Sequence, residues 1–265
     1  YQSFRFRMPS VYLISSEIEQ LNEEKVSSDL SSQNVRDLVF KGNKFNINLE
    51  RVFFKYPSSD KNILENLNIN FKSNIIYGIT GKTGSGKTTL IDLISGFLKP
   101  TKGSILANGI NISSNLKEWR KNFAYVSQNI FLFDSSIEKN ISLETEENLI
   151  NNNKLIQSLN NSQLFDFVDN LPNKSKTLVG QNGARLSGGQ IQRIGIARAI
   201  YQQSKCVIFD ESTNALDTMT EVEILKMIEK LKKDKLIILI SHNKNSLEIC
   251  DKVITVKDGS LIETN

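Results

Sequence analysis

Short continuous apolar runs recur along this chain from Phe45 onward. Their length is typical of strands buried on both faces, and stretches of helical spacing separate several of them. Strands that alternate with helices predict a largely parallel sheet covered on both faces, which is the α/β class. The predicted strands are residues 45–54, 75–79, 206–209, 236–240 and 253–256.

Helical spacing is clearest after the second of these runs. Leu90, Leu93 and Ile94 recur at i, i+3 and i+4, which predicts an amphipathic helix over residues 87–98 that ends before Pro100. A second helix is predicted over 221–231, and residues 130–203 are helical in pattern throughout. The pair Asn108-Gly109, set between apolar residues, predicts a hairpin turn within 103–112.

The first 43 residues differ from the rest of the chain. Four apolar residues, Val11, Ile14, Ile18 and Leu21, recur at helical spacing, and the polar, Ser-rich stretch 27–34 is typical of a linker. This segment is either a surface helix or the end of a longer helix that enters from an upstream domain. Because the chain begins with Tyr rather than Met, we expect it to be a piece of something longer.

Composition narrows the function classes. The 39% hydrophobic content over 265 residues supports a sizeable core, and a net charge of +4 is too weakly basic to indicate nucleic-acid binding. Two cysteines form no disulfide framework, and a single histidine excludes a His-cluster metal site. No apolar run approaches the ~18 residues of a membrane span.

A glycine-rich loop follows the strand predicted at 75–79. Residues 81–88 read GKTGSGKT and fit the pattern G-x-x-x-x-G-K-[ST], at the end of a strand and the start of a helix. Such a loop wraps its backbone N–H groups around a polyphosphate, with Lys87 on the β- and γ-phosphates and the Thr88 hydroxyl on Mg²⁺. The pattern predicts a nucleoside triphosphate site.

Two adjacent acids end the strand predicted at 206–209. Asp210 would hold Mg²⁺ through water, and Glu211 is placed to polarise an attacking water. Two acids after a strand can also belong to a simple turn. The phosphate loop in the same chain favours the alternative, in which Asp210 serves Mg²⁺ and Glu211 serves the attacking water.

The pentapeptide LSGGQ at residues 186–190 resembles the signature of the ATP-binding cassette (ABC) ATPases. Other landmarks of that family are also present, in the family's order along the chain. They are Tyr56 before Pro57, Gln128 after a strand, residues 214–217 reading NALD, and His242 after Ser241. The resemblance covers about residues 44–260. It implies a P-loop NTPase (RecA-like) core with an antiparallel β subdomain and an inserted α-helical signature subdomain.

The resemblance also implies roles for individual residues. Tyr56 resembles the aromatic that stacks on adenine, Gln128 the glutamine that touches Mg²⁺ and the attacking water, and His242 the switch histidine. The signature residues resemble those that face the γ-phosphate of ATP on an opposite subunit, and Asp217 resembles the aspartate that couples the two sites. Catalysis is thus expected from Lys87, Gln128, Glu211 and His242, and magnesium binding from Thr88, Gln128 and Asp210. The residues expected to contact ATP are Tyr56, Gly81, Thr83, Gly84, Ser85, Gly86, Lys87, Thr88, Thr89, Gln128, Ser187, Gly188, Gly189, Gln190 and Asp217.

Two further segments indicate the kind of ABC protein. Residues 131–141 resemble the segment that follows the glutamine loop in exporter-type cassettes, and residues 4–10 resemble the end of the last membrane helix in lipid-linked oligosaccharide and polysaccharide flippases. We therefore expect residues 1–43 to be the end of a last transmembrane helix and its linker, and 44–265 to be the ATPase domain. Within that domain, 44–129 and 204–265 would form the core and about 130–203 the helical subdomain.

The function implied is that of an ATP-hydrolysing cassette of an exporter or flippase, whose ATP-driven dimerisation moves a substrate such as a lipid-linked saccharide or polysaccharide. ATP and Mg²⁺ are the expected cofactors, and a second cassette and the transmembrane domain of the same full-length chain are the expected partners. No nucleic acid is expected. The cassette would lie at the cytoplasmic face of the plasma or inner membrane, with the fragment itself soluble. The alternatives are a soluble ABC ATPase of DNA repair, chromosome maintenance or translation, and an importer ATPase subunit.

Overall fold

The computed structural model describes residues 45–57, 59–212, 216–233 and 235–264. The helical segment and linker expected in residues 1–43, and Asn214 and Ala215 of the motif that ends at Asp217, lie outside this part of the chain. No helix within the described ranges is long and apolar enough to cross a membrane.

Ten strands in the described part of the chain form two sheets. The larger sheet has the order β10-β9-β3-β8-β7-β6, in which the strands from β9 to β6 run parallel and β10 pairs antiparallel with β9 at one edge. The smaller sheet has the order β2-β1-β4-β5 and is antiparallel. The strands are β1 Asn46–Phe54, β2 Leu64–Lys72, β3 Ile76–Thr80, β4 Lys102–Ala107, β5 Ile110–Asn111, β6 Phe123–Ser127, β7 Cys206–Asp210, β8 Leu236–Ile240, β9 Lys252–Lys257 and β10 Ser260–Thr264.

Eight α-helices lie in the described residues, and four of them fall between β6 and β7. These four helices, α3 to α6, pack around a second apolar cluster that includes Ile141, Leu155 and Ile194. The helices are α1 Lys87–Ser95, α2 Leu116–Arg120, α3 Ile137–Ser142, α4 Asn152–Asn161, α5 Phe165–Asp169, α6 Gly188–Tyr201, α7 Thr218–Leu231 and α8 Lys244–Glu248.

The main core forms where the central strands of the larger sheet meet helices. Val207 and Phe209 of β7 are fully buried, and they pack with Ile224 and Ile228 of α7. Strands β7 and β8 read CVIFD and LIILI because strands of a sheet covered on both faces need apolar side chains in both directions. The predicted fold class, a P-loop NTPase core with an antiparallel β part and inserted helices, is confirmed.

The prediction for the first helix is wrong at its end. The helix stops at Ser95 rather than near residue 98, because Gly96 takes φ 80° and its N–H and that of Phe97 turn back onto carbonyls of the last turn. The Trp119 ring lies 2.9 Å from the position that a Cβ on Gly96 would occupy, so the tryptophan packs against the helix end. The stop is therefore a glycine cap, and Pro100 lies beyond it.

One predicted hairpin is present, one strand was not predicted, and one helix begins earlier than predicted. The hairpin at Asn108-Gly109 is present, with φ 48° and 88° at its two central residues, as a type I′ turn requires. Strand β2 was not predicted because its sequence LENLNINFK places asparagines among the apolar residues. Helix α7 begins at Thr218, three residues before the predicted start, since Asp217 caps it.

Candidate active site

Four neighbouring parallel strands carry the predicted catalytic residues at their carboxyl ends. In sheet order, β3 leads into the loop 81–88, β8 leads to His242, β7 ends at Asp210 and β6 leads to Gln128. This edge of an open parallel sheet is where α/β proteins bind ligands. The pairing of the strands thus brings together residues that are up to 161 positions apart in the sequence, between Gly81 and His242. We call residues 81–89, Gln128, Asp210, Glu211 and His242 the strand-end group.

The glycine loop has a backbone that other residues would not adopt. Gly81 has φ 142°, and a Cβ there would lie 2.3 Å from the backbone oxygen of Val256. Gly86 has φ 104° and precedes the first turn of α1, whose backbone N–H groups have no partner within the helix. The Ser85 hydroxyl is buried without a hydrogen-bond partner in the described part of the chain. A buried polar atom of this kind, in a loop at a helix N-terminus, fits a bound anion.

The Lys87 ammonium lies over the same loop. It donates hydrogen bonds to the carbonyl oxygens of Gly81, at 2.5 Å, and of Lys82, at 3.2 Å. Both acceptors are neutral, so the positive charge of Lys87 is not cancelled by a carboxylate within this loop. The loop therefore presents a cation together with the N-terminus of α1, as a polyphosphate site requires.

Tyr56 lies beside the start of α1. Its hydroxyl and that of Thr89 are 3.1 Å apart, and its ring meets Phe54 edge-on with the ring centroids 5.0 Å apart. The side chain stays 38% exposed, so part of the ring is open to solvent near the phosphate loop. The structure thus places Tyr56 beside the start of α1 and pairs its hydroxyl with that of Thr89, and its role in stacking on adenine stays a prediction.

Asp210 ends β7 in a half-buried position. The hydroxyl of Tyr125 donates a hydrogen bond to its Oδ2, whereas Oδ1 has no hydrogen-bond partner among the described residues. Burial is the main cause of the raised pKa of Asp210, and the charge of Glu211 adds to it. The Thr88 hydroxyl also makes no hydrogen bond within the described chain. Oxygen atoms of a hydroxyl and a carboxylate are the ligands that Mg²⁺ prefers, so these two residues fit such an ion.

Asp92 is a neighbour of this site that the sequence analysis missed. Burial, together with the nearby charge of Asp210, raises the pKa of Asp92 to about 6. The spacing held a signal for it, because residue 92 follows Thr88 by four positions and therefore lies on the same face of α1. Tyr125 was also missed, since its bond to Asp210 joins residues 85 positions apart.

Glu211 has an unusual backbone for its residue type. Its φ is 48°, in the left-handed region that non-glycine residues seldom occupy, and its N–H donates to the carbonyl oxygen of Ile240 at 3.0 Å. Backbone strain of this kind is concentrated at functional sites, where the surrounding structure holds it in place. Strand β8 thus holds the backbone of Glu211, the residue that we expect to act on water.

Gln128 and His242 occupy the remaining two strand ends. The carbonyl oxygen of Gln128 accepts a hydrogen bond of 2.8 Å from the Gln192 side chain of α6, so the segment after β6 is tied to the inserted helices. Gly195 of the same helix has no room for a side chain, because a Cβ there would lie 2.2 Å from Ile130. His242 is exposed, two residues beyond the end of β8.

The signature residues form a second group at the start of α6. Ser187 caps this helix: its Oγ accepts from the Gln190 N–H at 3.3 Å, and the Gln190 side chain accepts from the Ser187 N–H at 2.9 Å. Gly189 faces α7, since a Cβ on it would lie 2.7 Å from Thr220. We call residues 187–190 and Asp217 the signature group.

Asp217 has a structural role of its own. It caps α7 by accepting hydrogen bonds from the N–H and the hydroxyl of Thr220, at 3.0 and 2.7 Å, and these bonds lower its pKa. Within the described ranges no hydrogen bond joins the signature group to residues 81–89. The predicted residues therefore fall into two groups, the strand-end group and the signature group, in the described part of the chain.

A comparison with protein families shows which family this chain belongs to. Residues 64–214, more than half of the chain, match the family model described as ABC transporter. The chain belongs to the ABC transporter family. The resemblance noted at the signature residues is confirmed, and the chain contains an ATPase domain of this family, which binds ATP.

Individual relatives are named as flippases and as a permease protein. The chain is 36% identical over 257 residues to an ATP-dependent lipid A-core flippase of Pseudoalteromonas translucida. This match covers 96% of the chain and 42% of the relative. It is 36% identical over 216 residues to a probable ABC transporter ATP-binding/permease protein of Haemophilus influenzae, covering 81% of this chain and 38% of the relative. The chain therefore spans about two fifths of the length of these relatives.

A solved structure shows a similar fold. A bacterial Atm1-family ABC exporter with ATP bound matches with a TM-score of 0.72 and 29% identity, over 83% of this chain and 38% of that one. These relatives and this structure favour the exporter hypothesis over the soluble ATPase and importer alternatives.

Proposed function

We propose that this chain is the ATP-binding and hydrolysing cassette of an ABC exporter or flippase, and that its dimerisation on ATP drives translocation. Relatives named as lipid A-core flippases and a permease protein support this proposal. The cargo we propose is a lipid-linked saccharide or polysaccharide, in line with the lipid A-core named for those relatives. The contacts that select it would lie in a transmembrane domain of the same full-length protein.

The strand-end group would perform the chemistry. Lys87 and the first-turn N–H groups of α1 hold the β- and γ-phosphates, and Tyr56 stacks on the adenine. Thr88, Gln128 and Asp210 hold Mg²⁺, which neutralises charge on the phosphate oxygens when it is bound. Among the described residues no cluster of three or more His, Cys, Asp or Glu is present.

Glu211 and His242 would act on the reacting end of ATP. The Glu211 carboxylate accepts a proton from the water that attacks the γ-phosphorus, so that the nucleophile develops negative charge as the bond to the leaving oxygen lengthens. His242, exposed at the neighbouring strand end, contacts the γ-phosphate and senses its presence. The backbone of Glu211, strained and bonded to β8, is set before ATP arrives.

The signature group would complete the site of a second copy. The hydrogen on the Ser187 hydroxyl is not used in capping, because Oγ serves there as an acceptor, so it remains able to donate to a phosphate. The N-terminus of α6 adds a positive dipole end. Two chains arranged head-to-tail would each offer this group to the ATP of the other, and Asp217 would lie between the two sites. Such an arrangement is a two-fold dimer.

The chain's place in the larger protein follows from the same proposal. Residues 1–43 would be the end of the last transmembrane helix and its linker, and residues 44–265 the ATPase domain with its helical subdomain at about 130–203. The cassette would then lie at the cytoplasmic face of the membrane, where ATP is available.

The observation that carries the proposal is the meeting of the phosphate loop, Asp210, Glu211 and His242 at adjacent strand ends. The test compares Glu211→Gln with Lys87→Ala in the 265-residue chain. Glu211→Gln should lower ATP turnover by about 10²-fold or more, because the base is lost, while ATP binding is kept. Lys87→Ala should weaken ATP binding itself.

Both variants are measured by phosphate release and by binding of a fluorescent ATP analogue, with Glu248→Gln, at an exposed glutamate of α8, as the matched control. Turnover that survives Glu211→Gln would exclude the proposed base. Binding that survives Lys87→Ala unchanged would exclude the loop as the phosphate site.

A further inference from the structure

Tyr125 lies on β6 with its side chain on the solvent side of the strand. Its neighbours Ala124 and Val126 point into the main core, whereas Tyr125 is 52% exposed on the opposite face of the sheet. A half-exposed tyrosine on a strand needs no function by itself. This one is distinctive because its hydroxyl donates to Oδ2 of Asp210 on the adjacent strand.

The register of the two strands explains how the contact forms. Strands β6 and β7 pair in parallel, with Tyr125 opposite Ile208 and Ser127 opposite Asp210. Positions two apart on a strand share a face, so Tyr125 and Ser127 lie on the same side of the sheet. The Tyr125 side chain leans along its strand towards the carboxyl end and reaches the carboxylate two positions further on.

The hydroxyl leaves the two oxygens of Asp210 unequal. Oδ2 is occupied by the phenol, and Oδ1 has no partner within the described chain. The acids Asp92 and Glu211 add negative charge around the same carboxylate, and Lys87 adds positive charge. Without a hydrogen-bond donor, a carboxylate at a strand end would be free to rotate about its side-chain torsions. One fixed hydrogen bond selects a single orientation.

We propose that Tyr125 is a positioning residue for the divalent metal site. Its hydroxyl holds Asp210 through Oδ2 so that Oδ1 is the oxygen available to the ion or to its bound water. This inference rests on the proposed function, in which Asp210 serves the metal that accompanies ATP. Groups that orient a metal-binding carboxylate commonly change metal affinity by about 10- to 100-fold when they are removed.

The test separates binding of the metal from turnover and from binding of ATP. It uses the 265-residue chain carrying Glu211→Gln, to stop hydrolysis, with Mn²⁺ as the metal probe. ATP affinity is measured with Mn²⁺ and again with EDTA, and the ratio of the two affinities gives the contribution of the metal. Tyr125→Phe removes the hydroxyl and keeps the ring, so it should lower this ratio by about 10-fold and leave the affinity in EDTA unchanged.

Two further variants serve as the positive and the negative control for Tyr125→Phe. Asp210→Asn should lower the ratio at least as far as Tyr125→Phe does. Tyr201→Phe removes a tyrosine hydroxyl that accepts from the Asn151 N–H in the helical part, so it should leave the ratio at the parent value. Thermal melting of each variant checks that folding is intact.

An unchanged ratio in Tyr125→Phe, with a lowered ratio in Asp210→Asn, would overturn the positioning role and leave the proposed function standing. An equal loss of affinity with Mn²⁺ and with EDTA would also overturn it, because the hydroxyl would then support the loop rather than the metal. A normal ratio in Asp210→Asn would instead reject the metal role proposed for Asp210, and the role of Tyr125 with it.

Discussion

The strand-end group and the signature group differ in how their polar atoms are satisfied. In the strand-end group, the Ser85 hydroxyl and Oδ1 of Asp210 have no partner in the described chain. In the signature group, Ser187 pairs with Gln190, and Asp217 pairs with Thr220. The first group is thus recognisable as a ligand site from its own unsatisfied atoms. The second is satisfied by capping its helices, and its proposed role depends on a ligand brought by another chain.

The two groups are nevertheless connected within one chain. Gln192, on the helix that the signature group begins, donates to the carbonyl oxygen of Gln128 at one of the strand ends. The close approach of Gly195 to Ile130 fixes the same contact through packing. We therefore expect a change at Gln128 to reach α6, along a route from the proposed nucleotide site to the surface that we propose faces a second chain.

The largest effect that separates the groups is expected from Ser187→Arg. A long cationic side chain at the start of α6 would block the approach of a second chain, so turnover should fall by about 10²-fold or more. Binding of ATP to the strand-end group should stay within about two-fold, because no residue of that group is bonded to Ser187. Phosphate release and nucleotide binding measure the two effects.

Ser187→Ala is the control for Ser187→Arg. Both variants lose the helix cap, which costs about 0.5–2 kcal/mol of stability. If Ser187→Arg weakens nucleotide binding to the same chain more than Ser187→Ala does, the separation of the two groups is contradicted.

A smaller effect is expected at Tyr56, where the ring and the hydroxyl can be tested separately. Tyr56→Phe keeps the ring and loses the bond to Thr89, so ATP affinity should change by about three-fold or less. Tyr56→Ala loses the stacking surface, which is worth about 1–3 kcal/mol per base. Every base has a π-face, and GTP should therefore bind only a few-fold more weakly than ATP. Complete rejection of GTP would require contacts to the base edge in place of stacking on Tyr56.

The parts that were predictable from sequence are those built from local patterns. The loop 81–88, the start of α1 at Lys87 and the turn at Asn108-Gly109 each depend on a few consecutive residues, and all three are present. Tyr125 and Asp92 were not predictable in the same way, because their importance arises from a partner on a distant strand. Strand β2 was missed since long-range pairing with β1 outweighs its weak apolar pattern.

The central claim is that one chain carries two halves of different sites. The oligomeric state of the Glu211→Gln variant, measured by light scattering, tests this claim most directly. Without the tether of a membrane domain, association should depend on protein concentration. We predict a monomer without nucleotide, a dimer with saturating ATP, and a monomer again when Ser187→Arg is added to the same chain. A stable dimer in the absence of nucleotide, or a chain that stays monomeric when it is saturated with ATP, would contradict the account.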